Sequence, residues 1–208
     1  KERFDGDNFI KNLLLDNLLL VDIYSRAKKL RIENNVPRVV FLIETEIDKE
    51  FNVVEIVRSI FPTKQKDFVT AVDEKSIILV KELKEKDSKE EIDQISKHIY
   101  DTLSAEAMTS VYVAIGTVVN DLKNVSASYK EAKMALEVGK IFEENKKIVN
   151  YEQLGIGRLI YQLPAPLCKM FINEVLHGLS MDQFDEETLT TVNKFFENNL
   201  NVSETSRQ

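Results

Sequence analysis

The segment Val111–Gly139, VYVAIGTVVNDLKNVSASYKEAKMALEVG, changes its periodicity at a single glycine. Before Gly116, apolar residues alternate with a period of two, which predicts a β-strand. After the loop, the spacing becomes helical and predicts a helix from about Leu122 to Phe142. A strand, a glycine, a short loop and a helix therefore follow one another here, and the rest of the domain can be read outward from this unit.

Upstream of this unit, the pattern predicts more strands and helices in alternation. The stretch 37–47, PRVVFLIETEI, is apolar at every position from Val39 to Ile43, which is typical of a strand covered on both faces. A helix is predicted before Pro62, two strands at 68–72 and 76–82 flank a polar turn, and a helix follows with Ile92, Ile95, Ile99 and Leu103 on one side. A short strand at 147–151 ends the block.

This order predicts an α+β fold: a mixed sheet of the split ferredoxin-like type, with its helices on one face. An N-terminal helix and a C-terminal helical segment flank the sheet. The domain boundaries predicted from these changes of pattern are 1–35 for an N-terminal linker or dimerisation helix, 36–150 for the mixed sheet, and 151–208 for the helical segment.

The N-terminal helix is predicted to run from a cap at Asp7 to about Arg31. It has far more apolar residues than one buried face needs. Two interpretations stay open: a helix buried in its own domain, or a helix that packs both on its domain and on a second chain.

Composition excludes several classes of function. The net charge of −7 argues against the chain itself gripping nucleic acid or an anionic membrane. Cys168 is the only cysteine, so no disulfide framework exists and a reducing, cytoplasmic location is expected. The most apolar stretch is interrupted by Asp16, Asn17 and Asp22, so no membrane association is expected. His98 and Cys168 are interpreted as packing residues, not as ligands or nucleophiles.

Several segments in order resemble the sugar-diacid regulator family, the CdaR- and PucR-like bacterial transcription factors. They are DNFIKNLLLDN with YSRAKKL, PRVVFLIE, the whole of Val111–Gly139, and LTTVNKFFENNLNVSETSRQ at the C-terminus. The resemblance implies that residues 36–150 form a degenerate GGDEF-like domain, related to nucleotide cyclases. It also implies that a helix from Asp185 to Asn199 begins a helix-turn-helix.

The same resemblance implies the partners. DNA would be bound by a helix-turn-helix of which Ser203, Thr205 and Arg207 belong to the start, and a small-molecule effector by a preceding domain. We expect the chain to be the middle piece of a longer protein, because Lys1 is not a start methionine and the final residues read as the opening of a helix. A homodimer is expected because such regulators read two half-sites.

Enzyme activity is not expected. A working cyclase needs carboxylates for two metal ions and a Gly-Gly turn that lets the backbone approach the nucleotide. The resemblance places Ala71 and Val72 at the glycines, with Asp73 and Glu74 at the acidic pair. Asp73 and Glu74 are most simply turn formers, and Glu44, Glu46 and Asp48 make a poor cage for two metals. No cofactor or metal is therefore predicted, and Glu44, Glu46, Asp73 and Glu74 remain vestigial candidates.

Three functions stay open at this point. The first is a central signal-transmitting and dimerisation fragment of a cytoplasmic DNA-binding regulator that responds to a sugar diacid or related metabolite. The second is a nucleotide-sensing or residual cyclase-like domain that uses Asp73, Glu74 and Glu44. The third is a small-ligand-binding domain without a role in transcription.

Overall fold

The computed structural model describes residues 2–45, 53–62, 66–84, 89–107, 110–142, 145–177, 183–197 and 206–207. Packing divides the chain into two units, Lys1–Tyr161 and Gln162–Gln208. The first unit contains every strand that the described residues form. The boundaries predicted at 35/36 and 150/151 do not coincide with this division and stay predictions.

The elements of the first unit follow the predicted alternation of strands and helices. They are α1 (Glu2–Leu14), α2 (Leu20–Lys29), β1 (Arg38–Thr45), α3 (Val53–Ile60), β2 (Phe68–Ala71), β3 (Ser76–Glu82), α4 (Lys89–Ala107), β4 (Val111–Ile115), α5 (Val125–Phe142), β5 (Ile148–Asn150) and α6 (Ile156–Tyr161). Short 3₁₀ turns precede α5 and α6, at Leu122–Asn124 and Tyr151–Gln153. The second unit contains α7 (Ala165–Val175) and α8 (Glu186–Glu197).

The five strands form one mixed sheet in the order β2-β3-β1-β4-β5. All neighbours are antiparallel except β4 and β5, which are parallel and are joined by the crossover helix α5. The first four strands have the ferredoxin-like order, so the predicted α+β mixed sheet is confirmed. β1 lies at the centre, where both of its edges are hydrogen-bonded.

Helices cover both faces of the sheet, so the prediction of helices on one face is wrong. Alternate residues of β1 point to opposite sides because side chains alternate along a strand. Val39, Phe41 and Ile43 pack with α3 and α4 in one core, whereas Val40 and Leu42 pack with α1, α2 and α5 in another. A strand that is apolar on both faces needs helices packed on both faces. The two crossover helices of the ferredoxin-like plan, α3 and α4, pack on only one of them.

The predicted single helix from Asp7 to Arg31 is also wrong, because the chain turns between α1 and α2. Asp16 has a φ of 55°, and the N–H of Asn17 donates to the carbonyl of Asn12, which ends α1. Asp7 lies inside α1 and binds Arg58 of α3 at 2.8 Å. The turn lets both helices bury apolar residues in one core: Phe9, Ile10, Leu13, Leu14, Ile23 and Ala27.

Most of the apolar excess of the N-terminal segment is therefore used within its own domain. Three side chains near the turn stay largely exposed: Leu19, Leu20 and Val21. Pairing of this segment with a second chain stays a prediction.

A β-bulge interrupts the ladder between β1 and β4. The N–H of Gly116 donates to the carbonyl of Val40 at 3.0 Å, as the strand register requires, whereas Arg38 pairs with Val119. Between these two pairs the chain after β4 has one residue more than β1. The N–H of Val40 therefore cannot continue the regular ladder and needs another acceptor.

Ser128 of α5 supplies that acceptor. Its Oγ accepts a hydrogen bond from the N–H of Val40 at 3.1 Å and donates one to the carbonyl of Thr117 at 2.8 Å. Ser128 is fully buried. One serine thus satisfies both strands at the bulge and fixes the first half of α5 against the sheet.

Gly116 makes this contact possible because it has no side chain. A Cβ at this position would lie 2.5 Å from Ser128 Oγ and 2.8 Å from the Ser128 carbonyl carbon. Real Cβ atoms do not approach other atoms that closely. Because the contact includes the backbone of Ser128, a change of side-chain rotamer cannot relieve it. The glycine at which the sequence changes periodicity is thus the point where α5 meets the sheet.

We expect Gly116→Ala to lower the free energy of unfolding by about 3 kcal/mol or more, because α5 must move away from β4. Urea unfolding followed by far-UV circular dichroism measures the change. Gly6→Ala is the matched control, because a Cβ there lies at an ordinary 3.6 Å from the Phe68 ring and α1 gains a better helix former. Equal stability of Gly116→Ala and wild type would contradict the close packing described.

Candidate functional site

Asp73 organises the turn between β2 and β3. Its Oδ1 accepts the N–H of Lys75 at 2.9 Å and the N–H of Ser76 at 2.7 Å. Such bonds from an aspartate to backbone two and three residues ahead are typical of a turn. The carboxylate is therefore engaged with its own backbone.

The ionisation of Asp73 follows from these bonds. Partial burial acts to raise the pKa of the carboxyl, but the hydrogen bonds from Lys75 and Ser76 and the charge of Lys133 outweigh it. The pKa of Asp73 is thereby lowered below its ordinary value. The group is charged at neutral pH, where it accepts the two N–H bonds.

The turn lacks the glycines that would let a ligand come close to its backbone. Ala71 and Val72 are half-buried, and Glu74 beside Asp73 is exposed. Within the described residues, the carboxylate of Glu74 has neither a hydrogen bond nor an ion pair.

Glu44 lies at the same end of the sheet as this turn. It is opposite Ser76 on β3 and opposite Tyr112 on β4, and the N–H of the next residue, Thr45, donates to the carbonyl of Lys75. The structure therefore brings Glu44 to the hairpin that carries Asp73 and Glu74. Glu46 and Asp48 lie outside the described residues.

The carboxylate of Glu44 forms an ion pair with Lys140 of α5. Lys140 Nζ lies 5.3 Å from the centre of the Tyr112 ring, and Lys147 Nζ lies 4.1 Å from the same centre. Lys147 also donates to the Tyr112 hydroxyl at 2.7 Å. Glu44 thus lies, within the described residues, beside a cluster of two lysines and one tyrosine.

A metal centre is not assembled from the parts of the chain that the structure describes. No group of three or more His, Cys, Asp or Glu side chains there comes together in a way that could hold an ion. Asp73 Oδ1 accepts two backbone N–H groups, and Glu44 pairs with a lysine, so each of these acids already has a partner within the fold. Within the described residues, Asp73, Glu74 and Glu44 therefore do not form a two-metal cage.

Lys140, Lys147 and Tyr112 are members of this site that sequence reasoning missed. None of the three is among the candidate residues that the sequence pattern indicates. Their meeting with Glu44 depends on the pairing of β1 with β4 and on the packing of α5 across both. Spacing along the chain does not encode that pairing.

The C-terminal candidates are described only in part. Asp185 caps α8, because its Oδ1 accepts the N–H of Thr188 at 2.7 Å. The pKa of the carboxyl is lowered by the hydrogen bond from the Thr188 side chain and, to a smaller extent, by this backbone bond. The beginning of the predicted helix 185–199 is therefore confirmed. Arg207 lies exposed in a turn, whereas Asn199, Ser203 and Thr205 lie outside the described residues.

Two further residues considered in the sequence, His98 and Cys168, lie outside the Asp73 turn and the Glu44 cluster. The His98 ring is exposed and lies edge-on to Phe61 with 6.4 Å between ring centres, so packing accounts for it. Cys168 is a free, half-buried thiol of α7. None of the helices in the described ranges is long and apolar enough to cross a bilayer.

We expect Asp73→Ala to lower the free energy of unfolding by about 1 kcal/mol at pH 7, because two turn N–H groups lose their acceptor. The folded-state pKa of Asp73 is depressed, so its stabilisation is complete above the unfolded value of about 3.9 and is lost as pH falls through the folded value. The difference between wild type and variant should therefore shrink below about pH 4.

Urea titrations at pH 7 and at several values below pH 4 measure this difference. Glu74→Ala is the control and should match wild type throughout, because Glu74 is exposed. A difference for Asp73→Ala that is independent of pH would show that its charge does not stabilise the turn.

Comparison with known proteins adds one finding. Among curated proteins, no sequence matches the chain. The sequence profile of the GGDEF-like domain family matches residues 17–138, which is more than half of the 208 residues. The matched region begins just before α2 and ends within α5, so it contains β1 to β4, the Asp73 turn and the Gly116–Ser128 contact. The chain belongs to the GGDEF-like domain family.

Proposed function

We propose that the GGDEF-like domain is a scaffold without enzyme activity. The observation that carries this proposal is the use, within the fold, of two of the three candidate acids that the structure describes; the third, Glu74, is exposed. Asp73 accepts the N–H groups of its own turn, and Glu44 is paired with Lys140. Ala71 and Val72 add side chains where close approach of a nucleotide would need glycine.

The scaffold belongs, in this proposal, to a DNA-binding transcription regulator of the cytoplasm. The ordered resemblance of Val111–Gly139 and of the flanking segments to the sugar-diacid regulators supports it. The chain would transmit a signal from an effector-binding domain to a helix-turn-helix and would do so as a homodimer. The effector would be a sugar diacid or a related small metabolite.

The acidic character of the second unit agrees with a chain that transmits a signal and does not itself bind DNA. Residues from Met181 onward contain six acidic residues against two basic ones, Lys194 and Arg207. A segment of this charge does not neutralise DNA phosphates by itself. DNA contacts would come from a separate basic recognition helix.

A nucleotide-sensing domain is the second candidate. It is favoured by one observation, the position of Glu44 at the same end of the sheet as Asp73 and Glu74. For nucleotide to bind there, Glu44 would have to exchange Lys140 for a metal ion. Asp73 would likewise have to release the backbone of its turn.

The regulator proposal is tested by selecting duplexes from a random-sequence DNA library with the product of the complete reading frame. We expect enrichment of a sequence with two related half-sites, in binding that weakens steeply with salt. The 208-residue chain is the control and should retain no duplex, because its net charge is −7. Failure of the complete product to enrich any sequence would overturn the proposal.

A further inference from the structure

Exposed apolar side chains gather where α6 lies against the second half of α5. Gly157 fixes this packing, because a Cβ there would lie 3.1 Å from Val138 and 3.2 Å from the Phe142 ring. At the other end of α6, the Tyr161 hydroxyl hydrogen-bonds to the carboxylate of Glu137. The second half of α5 and α6 are therefore packed side by side, and each has exposed apolar side chains.

We call this surface the α5–α6 patch. Its side chains are between 40% and 71% exposed, and they are Ile141, Phe142, Ile156, Leu159, Ile160 and Tyr161. At those fractions six large side chains together expose apolar surface on the order of several hundred Å². That is the order of the largest patch of an ordinary monomer, and of the roughly 800 Å² per partner of a specific interface.

Charged groups at the border of the patch are used inside the domain. The guanidinium of Arg158 lies 4.8 Å from the centre of the Tyr151 ring, Lys140 pairs with Glu44, and Glu137 accepts from Tyr161. Among the described residues, these contacts give Arg158, Lys140 and Glu137 partners within the same unit, and the partner of Glu137 is the hydroxyl of Tyr161 at the border of the patch. The centre of the patch is left apolar.

We propose that the α5–α6 patch is the surface through which a second copy of this chain binds. Two chains of net charge −7 repel each other, so they can associate only where little charge is brought together. An apolar patch of this size satisfies that condition. In a two-fold dimer the same patch meets itself, so self-pairing needs no complementary charge. The inference rests on the homodimer of the proposed function and names its surface.

The test compares wild type with Leu159→Glu by light scattering at tens of micromolar. We expect wild type to have twice the chain mass of 23.9 kDa, and Leu159→Glu to be monomeric, because a dimer through this patch would have to bury the two new carboxylates. Val21→Glu is the matched control. Val21 is 78% exposed, near the turn between α1 and α2, and its variant should remain dimeric.

A far-UV circular dichroism spectrum equal to that of wild type, with cooperative thermal unfolding, would show that the Leu159→Glu monomer is folded, since the residue is 63% exposed. Its unfolding temperature should be lower only by the stabilisation that the partner gave. A second variant, Ile156→Glu, should give the same result. A dimer that persists in both variants, or that dissociates in Val21→Glu instead, would overturn the assignment of the surface while leaving the homodimer in place.

A monomeric wild type would overturn both the surface and the homodimer. In that case Ile156→Cys, in a Cys168→Ser background, reports whether the patch is covered. Slow reaction with a thiol reagent in the monomer would mean that another part of the same chain lies on it. The duplex selection tests DNA binding separately, so neither result decides the other.

Discussion

The domain depends on one contact, in which Ser128 of α5 satisfies the bulge between the two central strands. The Val40 N–H is deep in the sheet and has lost its regular partner on β4, and an unsatisfied buried N–H costs about 1–3 kcal/mol. The serine removes that cost and bonds the carbonyl of Thr117 as well. Gly116 lets the helix approach closely enough for both bonds.

The position of α5 then determines much of what surrounds it. Further along the helix, Gly139 packs on Val149 of β5, where a Cβ would lie 2.7 Å from a methyl group of the valine. In between, Glu131 accepts from the N–H of Thr117 at 3.0 Å. A helix held at both halves places Lys140 beside Glu44, and it provides the surface on which α6 packs.

The same placement of α5 explains why two of the acidic residues at this end of the sheet make contacts within the fold. Lys133 and Lys140 lie two turns apart on α5, and their charges act on Asp73 and Glu44 respectively. Asp73 and Glu44 therefore each have a basic neighbour on α5. Coulomb attraction at a partly exposed site is weak, but it is enough to bias the direction of a carboxylate.

Sequence patterns predicted the order of strands and helices because each element carries its own period. The run Val39–Ile43 even indicated two covered faces, although the ferredoxin-like plan led to helices on one face only. The turn at Asp16 was missed, since leucines continue through it and no glycine or proline marks it. A residue with a short polar side chain can adopt a positive φ without such a signal.

The candidate site was predictable only in part, because only some of its contacts are between residues close in sequence. Asp73 and its turn are local, and short-range rules foresee them. The pairing of Glu44 with Lys140 joins residues far apart in sequence, and it requires the strand register and the bulge to be known. The apolar surface of α5 and α6 is likewise created by packing, since Gly157 carries no signal of which helix it will touch.

The most direct test of the scaffold claim is a calorimetric titration of this chain with GTP and Mg²⁺. Our account predicts no saturable heat at millimolar nucleotide, in wild type and in the double variant Asp73→Asn with Glu74→Gln alike. Saturable, metal-dependent binding that the double variant abolishes would contradict it. The hairpin would then be a nucleotide site, and the structural roles of Asp73 and Glu44 would describe only its unliganded form.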